Sequence, residues 1–201
     1  FTLFGSSTQN GIGAINLQTN SVVGFNPQFT AGVGVTVRDI EIVSTTLYVA
    51  GLFETSDGFT RSNIAAYDLT DYTTTTLMQF APDLNSGAGG AGSIYALSSI
   101  NTTTLLVSGN FTEDNEIARE GVAAYDLTDD SLLPWNPAFR TVTGQSTQVE
   151  YIRYHDGSIY TGGGFKVVGA DVQNNFATFE VPLVSFSQAA SSANELDEEG
   201  N

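Results

Sequence analysis

The sequence predicts an all-β protein assembled from copies of one sheet unit, and three observations carry that prediction. An aromatic-X-Pro corner recurs as Phe25-Asn26-Pro27, Phe80-Ala81-Pro82 and Trp135-Asn136-Pro137, its prolines at intervals of 55 residues from 27 to 82 to 137. Apolar runs ending in glycine recur at 47–51 (LYVAG), 105–109 (LLVSG) and 159–163 (IYTGG). Alternating apolar and polar residues recur at 35–43 (VTVRDIEIV), 93–98 (SIYALS) and 149–154 (VEYIRY), the pattern of half-buried strands. A fixed period near 50 residues marks stacked or radially arranged units, and no segment carries a helical period.

The elements follow in order. The first segment is a shortened unit: Leu3-Phe4-Gly5 stands where Val107-Ser108-Gly109 stands, and Gly13-Ala14-Ile15-Asn16-Leu17 where Ala123-Ala124-Tyr125-Asp126-Leu127 stands. The alternating strands come next, and their charged Arg38, Asp39 and Glu41 suit a barrel or propeller channel. The glycine-ended strands are each followed by Phe53, Phe111 or Phe165, which implies a bulge or close backbone approach, with small residues letting a neighbouring aromatic pack on the main chain. The IAAYD and VAAYD strands lead into LTD turns, where Asp68, Asp126 and the matching Asn16 are expected to cap the main chain. The last unit begins at Val149 and passes through 175–181, and VPLVSFSQ is expected to supply an outer strand; no corner follows it. The domain expected is 1–187. Residues 188–201 read as an acidic polar tail, disordered or ordered by a partner, because Glu195, Asp197, Glu198 and Glu199 repel one another with nothing apolar to bury.

At 201 residues with 41% hydrophobic content the chain supports one substantial core. Its net charge is −16, with Lys166 the single lysine beside Arg38, Arg61, Arg119, Arg140 and Arg153. Nucleic-acid binding needs a cationic footprint to displace counterions, and none exists here. With no cysteine, disulfides and thiolate metal sites are excluded. A polar surface rich in uncharged Ser, Thr, Asn and Gln points to an extracellular or cell-surface protein, in which Asn101-Thr102-Thr103 and Asn110-Phe111-Thr112 are glycan acceptors. No apolar run is long enough for membrane insertion, and the start at Phe1-Thr2-Leu3-Phe4 reads as a processed product or an excerpt.

On GVAAYDLTDDSLLPWNPAF and IYTGGGFKVVG, the chain resembles the delta-sixty type of β-propeller repeat of bacterial surface and secreted proteins. The likeness covers about residues 1–181. It implies a β-propeller-like array of about four four-stranded blades, about 15 strands, opening on the second strand of a blade and incomplete or closed only with another chain. Open edges then imply a homo-oligomer or polymer, or the remaining blades of a larger propeller.

Residues able to do chemistry are few. His155, the one histidine, lies in the turn YHDG without a second histidine to support it. Hard oxygen ligands suited to calcium occur as Glu113 and Asp114 in one acidic loop and as Asp126, Asp129 and Asp130 in another, neither with EF-hand spacing. No other cofactor is implied. Phe25, Phe80 and Trp135 read first as plugs between blades and second as a stacking platform for sugars. The glycine-rich 87–92 reads as a connector, lacking the Lys-Ser/Thr of a phosphate loop. A hydrolase would need Arg38, Asp39, Glu41, Glu150 and Arg153 clustered in the channel. The expectation is instead a non-enzymatic, extracellular structural or adhesive module that assembles through open sheet edges with itself or a surface partner. The alternative is a glycan- or calcium-dependent binding module using loops at one face.

Overall fold

The computed structural model describes residues 3–4, 7–32, 34–86, 92–144 and 147–181. The expected outer strand in 182–187, the acidic tail and most of the glycine-rich connector lie outside them. Among the described residues there are twenty-four strands and no helix. Two sheets are complete four-stranded blades. From outer to inner edge the first is Thr76–Leu77, Ile64–Asp68, Thr46–Leu52 and Thr36–Val43, and the second is Ser131–Leu132, Val122–Asp126, Thr104–Gly109 and Ile94–Asn101. A third blade shows three strands, Phe176–Glu180, Ser158–Gly163 and Val149–His155. Ahead of them Ile15–Asn16 with Ser21–Val22 represents a partial blade, and Leu3–Phe4 with Ser7–Thr8 is a separate hairpin. Because the Asn26 side-chain amide donates to the Thr8 carbonyl as that of Asn136 does to the Ala118 carbonyl, Leu3–Phe4 corresponds to Glu113–Asp114 in the loop hairpin and not, as the sequence suggested, to the end of a second strand.

The strand number exceeds the expected fifteen or so because the loops pair as well. Phe29–Thr30, in the linker that enters the first blade, pairs with Thr55–Ser56, which pairs with Phe59–Thr60. Leu84–Asn85 with Glu113–Asp114 and Ile117–Ala118 repeats this three-stranded clasp, as does Phe139–Arg140 with Val167–Val168 and Asp171–Val172. Each clasp ties a blade's incoming linker to the hairpin between its own second and third strands.

Burial follows from the two-sided apolar character of the middle strands, as stacked sheets require. Three hydrophobic slabs fill the gaps between successive sheets. Phe25, Val49, Phe53 and Tyr67 lie between the partial and first blades. Tyr48, Phe80, Leu97, Leu105 and Tyr125 lie between first and second, and Leu106, Val122, Ile152, Ile159 and Phe165 between second and third. The corner aromatics repeat one geometry. Phe25 meets Tyr67 edge-on at 5.5 Å, Phe80 meets Tyr125 at 5.3 Å, and Trp135 meets Phe179 at 5.6 Å between centroids. They are plugs between blades, and the burial of Phe25 and Phe80 leaves no platform for a sugar ring there.

The glycines that end the second strands have a backbone cause. A Cβ on Gly51, Gly109 or Gly163 would fall within 3.0 Å of the carbonyl oxygen of Thr36, Ser93 or Gln148 respectively, on the neighbouring inner strand. At that level each inner strand carries a β-bulge, between Val37 and Asp39, Ile94 and Ala96, and Val149 and Tyr151. The expected bulge and close approach are present; the group that crowds all three glycines is a main-chain carbonyl, and only at Gly109 does an aromatic, Phe111, also come close.

Candidate functional site

The inner strands of successive blades lie side by side, and their polar residues join them. Asp39 Oδ2 accepts the Leu97 N–H at 2.8 Å, and Glu41 Oε1 accepts both the Ser99 N–H at 2.8 Å and the Ser99 Oγ–H at 2.6 Å. One joint further on, Ser98 Oγ accepts the Tyr154 N–H at 2.9 Å. By sheet register Glu41 and Ser98 are equivalent, as are Ser99 and Tyr154. The rule is an acceptor side chain on one blade receiving the next residue's N–H on the following blade. Two of the five channel candidates for hydrolysis, Asp39 and Glu41, are therefore engaged in holding blades together.

Arg153 occupies the same position in the third blade. A guanidinium has donors and no acceptor, so this blade cannot repeat the joint onward. Its onward face also differs in exposure. Tyr160 is equivalent to Tyr48 and Leu106, which are 5% and 0% exposed, but is itself 38% exposed; Phe176 is equivalent to Ile64 and Val122, both 0% exposed, but is 58% exposed. Tyr151 packs across Gly162 and completes an aromatic patch with these two, whose rings lie 6.4 Å apart. At the opposite end Ile40 is 47% exposed on the incoming side of the first blade, whereas its counterparts Leu97 and Ile152 are buried, and Ile42 is 58% exposed where its counterparts Ser99 and Tyr154 are half-buried. The onward face of the third blade is thus open to solvent, whereas at the first blade only the inner-strand strip of Ile40 and Ile42 is open, Val49, Ala65 and Tyr67 on the same side being buried.

The acidic candidates for calcium divide among separate tasks. Asp126 caps its turn by accepting the Thr128 N–H at 2.9 Å and hydroxyl at 2.7 Å, as Asp68 does for Thr70, and Asn16 accepts the main-chain N–H groups of Gln18 and Thr19. Asp129 accepts the Ser131 N–H at 3.0 Å, and hydrogen bonding from Ser131 holds its carboxyl below the usual range. Asp114 is buried and accepts the Asp83 N–H at 2.9 Å and the Tyr125 hydroxyl at 2.8 Å. Burial, then the Asp114 charge, raises the Tyr125 phenol well above its ordinary value. Asp130, with φ of 61°, lines a cavity of about 400 Å³ beside Asp83, Asp114 and Asn115, and desolvation followed by the Asp129 charge raises its carboxyl. Glu113 precedes Asp114 in its short strand. Among the described residues no three His, Asp or Glu side chains are arranged to hold a metal ion.

His155 is exposed and pairs with Ser158 across a tight hairpin whose Asp156 and Gly157 have φ of 45° and 80°, the primed turn that suits strand twist. Among the described residues no helix is long and apolar enough to cross a membrane. What the sequence did not disclose was the joint itself, since Glu41 and Ser99 are 58 residues apart. The available signal was an acidic residue inside an otherwise β-branched strand.

A family model described as Rax2 C-terminal beta propeller domain matches residues 12–163. Comparison with curated proteins finds no match.

Proposed function

The chain belongs to the Rax2 C-terminal beta propeller domain family, and from that premise we propose that it is a non-enzymatic structural module, displayed outside the cell, that adheres to copies of itself or to a surface partner through its open blade faces. A β-propeller domain suits protein interaction; self-association, display and adhesion are what we add to that. Its blades are, in this reading, of the delta-sixty type. The observation that carries the proposal is the onward face of the third blade, where Tyr160 and Phe176 are exposed at positions that internal joints bury completely or nearly so. The structure thus favours sheet faces over strand edges as the contact surface. A partner covering this face would set a carbonyl or carboxylate against Arg153, and apolar surface against Tyr151, Tyr160 and Phe176. The preponderance of uncharged polar residues supports extracellular display.

Sedimentation velocity on the chain, alone and with the double variant Tyr160→Lys/Phe176→Lys, tests the association. Both residues are solvent-facing, so the variant keeps the fold, and the expected result is concentration-dependent association that the variant abolishes. A compact monomer at all concentrations, or association indifferent to the variant, would overturn self-association through this face.

A further inference from the structure

A separate feature lies at one rim of the channel. The three inner-strand bulges fall at the same level and place Arg38, Tyr95 and Glu150 in equivalent positions. A bulge re-aims the side chain it carries, which is why bulges gather at rims and beside binding sites. Here all three residues line one cavity of about 410 Å³, together with Gln148 and Tyr151. Positions with a structural task repeat their chemistry from blade to blade: glycine at 51, 109 and 163, and an aromatic at 25, 80 and 135. The bulge positions are freed from that task, and there the residue changes from a cation to a phenol to an anion.

The lining has unused capacity. Arg38 lies over the Tyr95 ring at 4.7 Å. Among the described residues the one ion pair joins Arg140 to Glu120, so neither Arg38 nor Glu150 is neutralised by a salt bridge. Their charges cancel, making the cavity locally neutral within a chain of net charge −16. Arg38 offers a fork of donors, Glu150 only acceptors, Gln148 both, and Tyr95 and Tyr151 offer ring faces with a polar edge. Vicinal hydroxyls on a pyranose need that combination: each oxygen accepts from a planar donor and each proton finds an acceptor, while the ring's C–H face lies on an aromatic. A charged ligand is disfavoured, because an acidic one meets Glu150 and the field of the whole chain, and a cation meets Arg38.

We infer that this rim cavity, walled by Arg38, Tyr95, Gln148, Glu150 and Tyr151, binds a neutral oligosaccharide. The site uses side chains that take no part in the blade joints.

The test is calorimetry and ligand-observed NMR with neutral gluco-, manno- and galacto-trisaccharides beside oligogalacturonate of equal length, using the full chain and the variants Arg38→Gln and Glu150→Gln. Both residues are exposed, so thermal midpoints are expected to stay unchanged. Saturable binding of at least one neutral trisaccharide is expected, weakened about tenfold or more in each variant, the loss of a hydrogen bond to a charged group. Failure of every neutral sugar, equal binding by the variants, or preference for oligogalacturonate would overturn the assignment. Tyr151 is shared with the onward face, so the sugar titrations are repeated on the Tyr160→Lys/Phe176→Lys background, where association is abolished and the cavity residues are intact.

Discussion

Replacing Glu41 with alanine probes the joint between blades directly. The carboxylate accepts two hydrogen bonds from Ser99, at 2.8 and 2.6 Å, and the substitution removes both while leaving the Ser99 N–H to solvent alone. Hydrogen bonds to charged groups contribute about 1.5–3 kcal/mol each in favourable settings. Water reaches this half-buried joint, so the expected loss for the pair is about 2–3 kcal/mol rather than their full sum. In a domain of this size, each kcal/mol lowers the melting temperature by about 2–4 °C, so Glu41→Ala should melt about 4–12 °C earlier. Glu41→Gln keeps an acceptor without the charge and should lose about half as much. Glu150→Ala and Arg153→Ala, on an equivalent inner strand but with side chains that make no joint, should change stability by less than about 0.5 kcal/mol. Urea unfolding and calorimetry supply the numbers, and a double-mutant cycle with Ser99→Ala isolates the coupling. If Glu41→Ala matches Glu150→Ala, or the coupling to Ser99 is nil, the joint does not hold the blades.

Two other outcomes follow from packing. Gly109→Ala should cost several kcal/mol or prevent folding, because its Cβ would collide with the Ser93 carbonyl oxygen; Gly58→Ala meets no neighbouring atom and is strained only by its φ of 82°, so its measured loss should be smaller. Burial raises the phenol of Tyr48 to about 12 and those of Tyr67 and Tyr125 well above the usual value. A group with a raised folded pKa contributes stability that is complete below its unfolded value near 10 and is lost as pH climbs through the folded value. Tyrosinate absorbance should therefore show Tyr48, Tyr67 and Tyr125 ionising together with cooperative unfolding; their independent, reversible ionisation without loss of circular dichroism would contradict this.

The blade framework was legible because its causes are local. A strand buried on one side alternates, a backbone crossing demands glycine, and an Asx turn demands Asp68 or Asp126; each leaves its mark within about ten residues. The clasps were not legible. Phe29–Thr30 and Thr55–Ser56 are two residues long, too short for any periodicity, and their pairing depends on where the blade places the hairpin. The site was harder still. Asp39, Glu41, Arg153 and Glu150 look alike in sequence as charges within strands, and only the neighbouring blade assigns the first two to a joint, the third to an open face and the fourth to the rim cavity. The acidic loops are ambiguous for the opposite reason: Asp126 and Asp129 have the chemistry of ligands, and each also accepts from the main chain of its own turn.

The clasp also says where the protein can be cut and copied. Because the linker entering a blade is hydrogen-bonded to that blade's own hairpin, the heritable module starts just before Phe29, Leu84 or Phe139 and carries its fastening with it. Gene duplication at those boundaries lengthens the array by a whole module without asking any existing blade to find a new strand partner. Beside matching apolar faces, the junction it creates needs as little as one acceptor facing one N–H, a demand that Glu41 meets with a carboxylate and Ser98 with a hydroxyl.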